Sequence, residues 1–305
     1  MVRKMKVALA LIKRNRKLFF KDRGMFFTSL ITPAVLLVLY VTFLGNVYRD
    51  SFTSYLPQQL PLPERLVDGL VGGQLISSLL AISCVTVAFC SNFLAVQDKA
   101  TGTLKDFRVS PLKPSVLSVS YYLASLLSTL TVCVVATGLC LAYVAAVGWY
   151  LSAGDVLLLF LDVLLLVLFG TALSSLINLF LTTQGQISAV GTIVSAGYGF
   201  ICGAYMPISS FGEGLRKVLS FLPGTYGTSL VRNHAMRGAL AELGRQGVPE
   251  EAIAGIRDSL DCNLTFFGHT VDLPAMYLVL GGSIVLLLGL YIFWNFRMMK
   301  RELRK

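Results

Sequence analysis

"GAYMPISSFGEGLRKVLSFLPGTYG", residues 203–227, leaves a long apolar run, breaks at Pro207, builds a short amphipathic segment, breaks again at Pro223 and turns polar. Phe211, Leu215, Val218 and Leu222 recur at helical spacing, while Gly212, Glu213, Gly214, Arg216 and Lys217 fall mostly off that face. About 15 residues of helix reach about 22 Å, short of a hydrocarbon core of about 30 Å. Irregular backbone is not viable in contact with lipid, so such an element must pack on protein or line a cavity. The expectation is a re-entrant hairpin of two half-helices over 208–226. It would enter the membrane from the outer side, turn at "SFLPGTYG" with the help of Gly224 and Gly227, and act as a lid. Gly199, Gly203, Pro207, Phe211, Leu215, Pro223 and Tyr226 are its pathway and gate candidates.

The rest of the chain explains why a membrane is the frame. Its 305 residues are 55% hydrophobic and 14% charged, against about 25% charge in a soluble domain. Six apolar runs read as spans: roughly Met25–Val47, Leu70–Val96, Ser115–Val147, Val156–Leu181, Ile187–Met206 and Leu273–Phe296. The expected fold is an all-α membrane protein, residues 1–305 forming one transmembrane domain. Of the 26 Lys and Arg, eighteen fall in the N-terminal segment, the 98–114 loop and the C-terminal tail, and eight in the opposite loops. That bias puts both termini in the cytoplasm of a multi-pass plasma-membrane protein, read here as a bacterial inner-membrane one. The net charge of +10 therefore marks cytoplasmic loops rather than nucleic-acid binding. Residues 1–23 are a basic, partly apolar helix suited to the inner membrane surface. The 228–272 segment, with "NHAMRGALAEL" and "VPEEAIAGIRDSL", reads as a small outer cap of short helices.

"LAVQDKATGTLKDFRVSPLKPSVL", residues 94–117, joins spans two and three on the basic side. Gly102-Thr103 makes a break, "TLKDFRV" supports two helical turns, and Ser110-Pro111 ends them. A short helix over 97–110 at the foot of two spans can dock on a cytoplasmic partner through Leu104 and Phe107 and pass motion to both. Gln97, Asp98, Gly102, Thr103, Arg108 and Pro111 complete that candidate site; the plainer alternative is a charged loop. Pro33 lies inside the first span and allows a kink or a moving wall. Gly191, Ser195, Gly199 and Gly203 form a small-residue stripe on the fifth. Asp162, in "LLLFLDVLLL", is the one acid deep in an apolar run, hence a functional candidate or a snorkelling group. His234 and His269 read as surface residues. The six cysteines have no metal-like spacing, and no metal site is expected.

Together these stretches resemble the permease subunits of type-2 ABC exporters, the ABC-2 membrane family. The resemblance is carried by Lys21-Asp22, Pro33 and "FLG" at 43–45; by Gly102-Thr103-Leu104 and Ser110-Pro111-Leu112; and by Gly203, Pro207, Pro223, Thr225-Tyr226 and Arg232. Ala100, Lys105 and Phe211-Gly212 depart from the family pattern. The resemblance implies a complex of two permeases, as a homodimer or with a related chain, and two ATPase subunits that hold ATP and Mg. In such a complex the coupling helix moves with the ATPase, and spans one, two and five open a path at the dimer interface. This chain contains no Gly-x-x-x-x-Gly-Lys-Ser/Thr and no Gly-Lys dipeptide, so it is expected to bind no cofactor and to hydrolyse no ATP alone. An apolar path favours lipophilic drugs, peptides or lipids as cargo, as in multidrug export. A polysaccharide or lipid-linked glycan is the alternative cargo, and an ion-coupled secondary transporter or a membrane enzyme the alternative class.

Overall fold

Asp22 accepts a hydrogen bond from Met25 N at 3.0 Å, and this cap divides the N-terminal region into two helices. The computed structural model describes residues 2–55, 62–109 and 114–302. The basic stretch ahead of the cap is helix α1 (Val2–Lys21); after it come α2 (Arg23–Leu39), a π turn at Tyr40–Leu44, and α3 (Gly45–Tyr55). Pro33 is buried inside α2. The π turn is held by Tyr40, whose hydroxyl donates to Val71 O at 2.8 Å and whose ring stacks on Tyr48.

The chain continues through α4 (Glu64–Ala100), α5 (Thr103–Val109), α6 (Pro114–Val147), α7 (Ala153–Asn178) and α8 (Gln184–Ile201). A 3-10 turn (Ile208–Ser210), α9 (Glu213–Leu219), α10 (Pro223–Arg245) and α11 (Glu250–Ser259) follow. A two-stranded hairpin, β1 (Thr265–Phe266) against β2 (His269–Thr270), leads into α12 (Leu273–Glu302). Among the described residues, five stretches are long and apolar enough to cross a membrane: Arg23–Tyr55, Glu64–Ala100, Pro114–Val147, Ala153–Asn178 and Leu273–Met298. The protein is thus an all-helical, multi-pass membrane protein, the two short strands apart. Helix α8, on the sequence's fifth run, is only 18 residues, about 27 Å, and is not among the five.

Helix α4 is the axis. Its apolar stretch is 89% buried, against 22% for α6 and 17% for α12, and it packs on α2, α6, α7, α8 and α10. Polar pairs fix its neighbours: Asn92 Nδ2 donates to Ser174 Oγ (2.8 Å) and Ser175 Oγ (2.6 Å) on α7, and Ser91 bonds Ser125 and Thr129 on α6. Capping boxes at Ser152–Asp155 and Thr183–Gln186 start α7 and α8. The six cysteines are free and buried.

The region expected to be a small cap is built differently. "NHAMRGALAEL" is not a separate short helix. It continues α10, a helix of 23 residues, most of them buried, that packs on α4, α7 and α12. The physical reason is that small and polar residues on α10 satisfy one another or nearby backbone, so the helix enters the bundle despite low hydrophobicity. Gly227 lies against Leu166 and Leu280, which sit well inside α7 and α12. Gly238, at the other end, lies against Tyr150 just before α7. Helix α10 therefore climbs from the bundle interior toward the end of the bundle that carries the α6–α7 connection.

Candidate functional site

The first group of candidate residues meets at the end of the bundle that carries α1 and α5. Helix α4 stops at Thr101, and Gly102 takes the left-handed conformation (φ +84) that turns the chain into α5. Lys99 donates to the carbonyls of Asn178 (2.9 Å), Leu179 (3.0 Å) and Leu181 (3.2 Å), tying α4 to the C-terminus of α7, where the helix dipole favours a cation. Asp98 is buried and accepts from Arg14 Nη1 at 2.7 Å, Arg14 Nη2 at 3.3 Å and the Tyr121 hydroxyl. One carboxylate thus joins α1, α4 and α6. The hydrogen bond from Arg14 to Asp98 raises the pKa of the guanidinium further, so this cation is permanent. Arg14 also lies over the ring of Phe107 on α5, 5.2 Å from its centroid.

Leu104 and Phe107 do not face outward as the sequence suggested. Both pack with Val7 and Ala95 on a cluster of Leu11, Leu117 and Tyr121. A helix of two turns has too few backbone bonds to hold itself in place, so its apolar side is used on its own protein. Thr101 and Asp106 are the exposed positions here. Gln97 accepts at its carbonyl from Thr101 N and Thr101 Oγ1, and Thr103 bonds Thr101 through their hydroxyls at 3.0 Å. Arg108 belongs to α5 without a described side chain, and Ser110 and Pro111 lie outside the described residues.

The second group lies toward the other end. After α8, Gly203 takes a left-handed conformation (φ +74), and Pro207 starts the 3-10 turn. A side chain at Gly199 would collide with the ring of Tyr205, so the chain folds back tightly on α8. The stripe also meets α2, where Thr32 Oγ1 donates to Ser195 O at 3.4 Å. Helix α9 is only seven residues, and α10 begins at Pro223, where a proline costs no hydrogen bond. The Tyr226 hydroxyl donates to Ser220 O at 2.6 Å and Thr225 Oγ1 to Leu219 O at 3.0 Å, closing the turn.

The apolar face read from the sequence is not buried here. Leu215 and Val218 are exposed, Phe211 and Leu222 are half-buried, and Leu219 carries the packing. A buried arginine holds the assembly. Arg232 donates from Nη2 to Gly203 O at 2.8 Å and from Nη1 to Leu260 O, and lies 3.7 Å from Asp261. Asp261 in turn accepts from Ile208 N and, at 2.9 Å, Ser209 N. The turn after α8, α10 and the loop after α11 are therefore fastened at one ion pair.

Asp162 neither snorkels nor faces an open cavity. It is fully buried, and its Oδ2 lies 2.6 Å from Nδ1 of His234 on α10. Its Oδ1 accepts from the Tyr277 hydroxyl of α12 at 2.6 Å, and the His234 and Tyr277 rings stack. His234, expected at the surface, is buried because a carboxylate taken from water must find donors. His269 is exposed. Arg14, Tyr121, Lys99, His234, Tyr277 and Asp261 were not singled out from sequence as site residues. The one available signal was that Asp162 needs a partner in a chain with only two histidines.

Among the described residues no group of His, Cys, Asp and Glu has a metal-binding arrangement. Comparison with curated proteins found no match. Comparison with protein families matched residues 7–235, more than half of the chain, to the family described as ABC-2 type transporter. The match takes in most of α1 and the Asp98 junction, α5, the turn after α8 and α10 as far as His234 and Ala235. On this evidence the chain belongs to the ABC-2 type transporter family.

Proposed function

We propose that this chain is the membrane-spanning permease subunit of an ATP-driven exporter, powered by ATPase subunits on separate chains. The observation that carries the proposal is the Asp98 junction. A short helix, α5, is fastened by Leu104, Phe107 and Arg14 to α1, α4 and α6 at once. A push on the exposed Asp106 side of α5 therefore moves two spanning helices together rather than bending a loop. The missing phosphate-binding motif agrees with hydrolysis elsewhere.

In this reading α8 is a sixth crossing, both termini are cytoplasmic, and the opposite end is extracytoplasmic. Eighteen of 26 Lys and Arg lie on the terminal side, which supports that orientation. Helices α9 and α10 then form a re-entrant hairpin at the outer leaflet, its second limb longer and more buried than the sequence suggested. Two copies, or this chain and a related one, would face each other across the exposed apolar surfaces of α2 and α8, which include Ile31, Val35, Ile193 and Phe200. Alternating access in such a pair moves a lipophilic drug, peptide or lipid outward. A polysaccharide or lipid-linked glycan is the second cargo class, and no residue pattern here favours it.

The test is co-purification with the candidate ATPase in detergent. Asp106→Lys is expected to weaken capture by tenfold or more, because it reverses charge on the exposed side of α5. Phe107→Asp is expected to weaken it through loss of the α5 anchor. Wild-type capture and wild-type hydrolysis with both variants would place the docking site elsewhere and overturn the assignment.

A further inference from the structure

A cavity of about 250 Å³ opens between the hairpin turn and the outer loop; Ser209, Arg216, Ser220, Asp258, Thr265 and Thr270 are among its lining residues. Two of these are opposite charges that do not meet. Arg216 makes no hydrogen bond or ion pair through its side chain among the described residues, because Glu213, one turn away, is held by Lys217 at 2.7 Å. The Asp258 carboxylate accepts only from Asn263 Nδ2, at 2.8 Å, and forms no ion pair among the described residues. The second acid of the lining, Asp261, is already engaged by two backbone N–H groups and Arg232. The Thr265 and Thr270 hydroxyls, opposite each other on the β-hairpin, make no hydrogen bond among the described residues.

Next along the chain from two of the lining residues is a surface of the opposite chemistry. Phe221 follows Ser220, and Phe266 follows Thr265. Phe221, Phe266 and Phe267 form an edge-to-face trio with ring centroids 4.9 to 5.7 Å apart. Phe221 and Phe267 remain 60% and 59% exposed, so this trio is a surface rather than a core. Exposed phenylalanines suit the acyl side of the boundary between headgroups and acyl chains.

We propose that this cavity binds the headgroup of a zwitterionic phospholipid of the ethanolamine type, with its acyl chains against the phenylalanine trio. The phosphate would take the Arg216 guanidinium, which matches phosphate oxygens in pairs. The primary ammonium would take Asp258, and the free hydroxyls would complete both shells. A purely anionic headgroup leaves Asp258 without a counter-charge, and a water-soluble zwitterion leaves the exposed phenylalanine trio unused. The proposal rests on the reading that this end of the bundle lies at the outer leaflet.

The test uses the full chain, delipidated in neutral detergent and titrated with phosphatidylethanolamine, phosphatidylglycerol or free glycerophosphoethanolamine, with bound ligand counted by native mass spectrometry. Phosphatidylethanolamine is expected to bind at least about fivefold tighter than the other two. Arg216→Gln and Asp258→Asn are each expected to weaken it about tenfold, the scale of one lost charge-assisted hydrogen bond. Both residues are exposed, so neither change threatens folding. Phe221→Ser is expected to weaken the lipid and leave the soluble headgroup unchanged. Equal binding of the two lipids, or wild-type binding by the charge variants, would overturn the proposal. Free glycerophosphoethanolamine binding as tightly as the lipid would remove the lipid from it. Labelling of Ser209→Cys only from the cytoplasmic side, with lipid selectivity intact in detergent, would refute the orientation while leaving the binding site standing.

Discussion

Replacing His234 by Leu conserves most of the volume but leaves Asp162 with a single donor, the Tyr277 hydroxyl at 2.6 Å. Asp162 and His234 are 0% and 3% exposed, so water cannot take over the lost role. Removing one partner of a buried pair costs about 3–5 kcal/mol, whereas replacing both by apolar residues of similar size is often close to neutral. Asp162→Leu alone strands His234 and Tyr277, at about 1–3 kcal/mol for each unsatisfied group. The double variant strands only Tyr277, at about 1–3 kcal/mol. The two singles should therefore sum to well above the double, with a coupling of at least about 2 kcal/mol. The assay is equilibrium unfolding of the purified chain in mixed micelles, followed by far-UV circular dichroism. Adding Tyr277→Phe to the double should recover part of the remaining loss. Singles that add to the double within about 0.5 kcal/mol would refute the idea that this trio clasps α10 to α7 and α12.

The same geometry fixes other outcomes. Gly238→Ala would put a methyl 1.8 Å from Tyr150 O and should cost about 3 kcal/mol or more in the same assay, the top of the usual overpacking range. Gly138→Ala, on α6 with nothing within 4 Å, should instead gain up to about 1 kcal/mol. Asp98→Ala removes the shared acceptor of Arg14 and Tyr121 and should loosen α1 by about 1–3 kcal/mol; trypsin cleavage at Lys13 and Lys17 several-fold faster than wild type is the expected readout, and an unchanged rate would contradict it. Burial pushes the Cys262 thiol up to about 11. The thiolate is the reactive form, so maleimide labelling of Cys262 should be negligible at pH 7 and rise only as pH nears that value; rapid labelling at pH 7 would mean the loop is open.

What sequence made legible, and what it did not, follows from range. The spanning runs, the breaks at Gly102, Pro207 and Pro223, and the two-turn helix after Gly102 are local, set by hydropathy or by residues with restricted φ. The facing of α5 was not local. Leu104 and Phe107 form an apolar face either way, and only the proximity of Leu11 and Tyr121 decides that the face is used internally. Helix α10 was obscured for a related reason. Its Ser229, Arg232, Asn233 and His234 look solvent-facing until their partners, Asp162, Gly203, Asp261 and Cys262, are brought alongside from 29 to 72 residues away. A composition that looks like an outer cap is the composition of a polar helix whose bonds are made across the bundle. Helix α8 ends at Ile201 rather than near Met206, because Gly203 and Tyr205 continue the apolar run while the backbone already turns back on Gly199.

The proposed function holds that α5 lies on the cytoplasmic side and that its movement opens a re-entrant hairpin of α9 and α10 on the outer side. It is tested by placing a cysteine at Ser220 and timing its reaction with an impermeant thiol reagent outside proteoliposomes that contain the permease–ATPase complex. The six native thiols are buried, which keeps the background low. Rates in the nucleotide-free and the ATP–vanadate-trapped complex should differ several-fold, and Phe107→Asp should erase the difference. Identical rates in the two states of the otherwise wild-type complex would contradict the account.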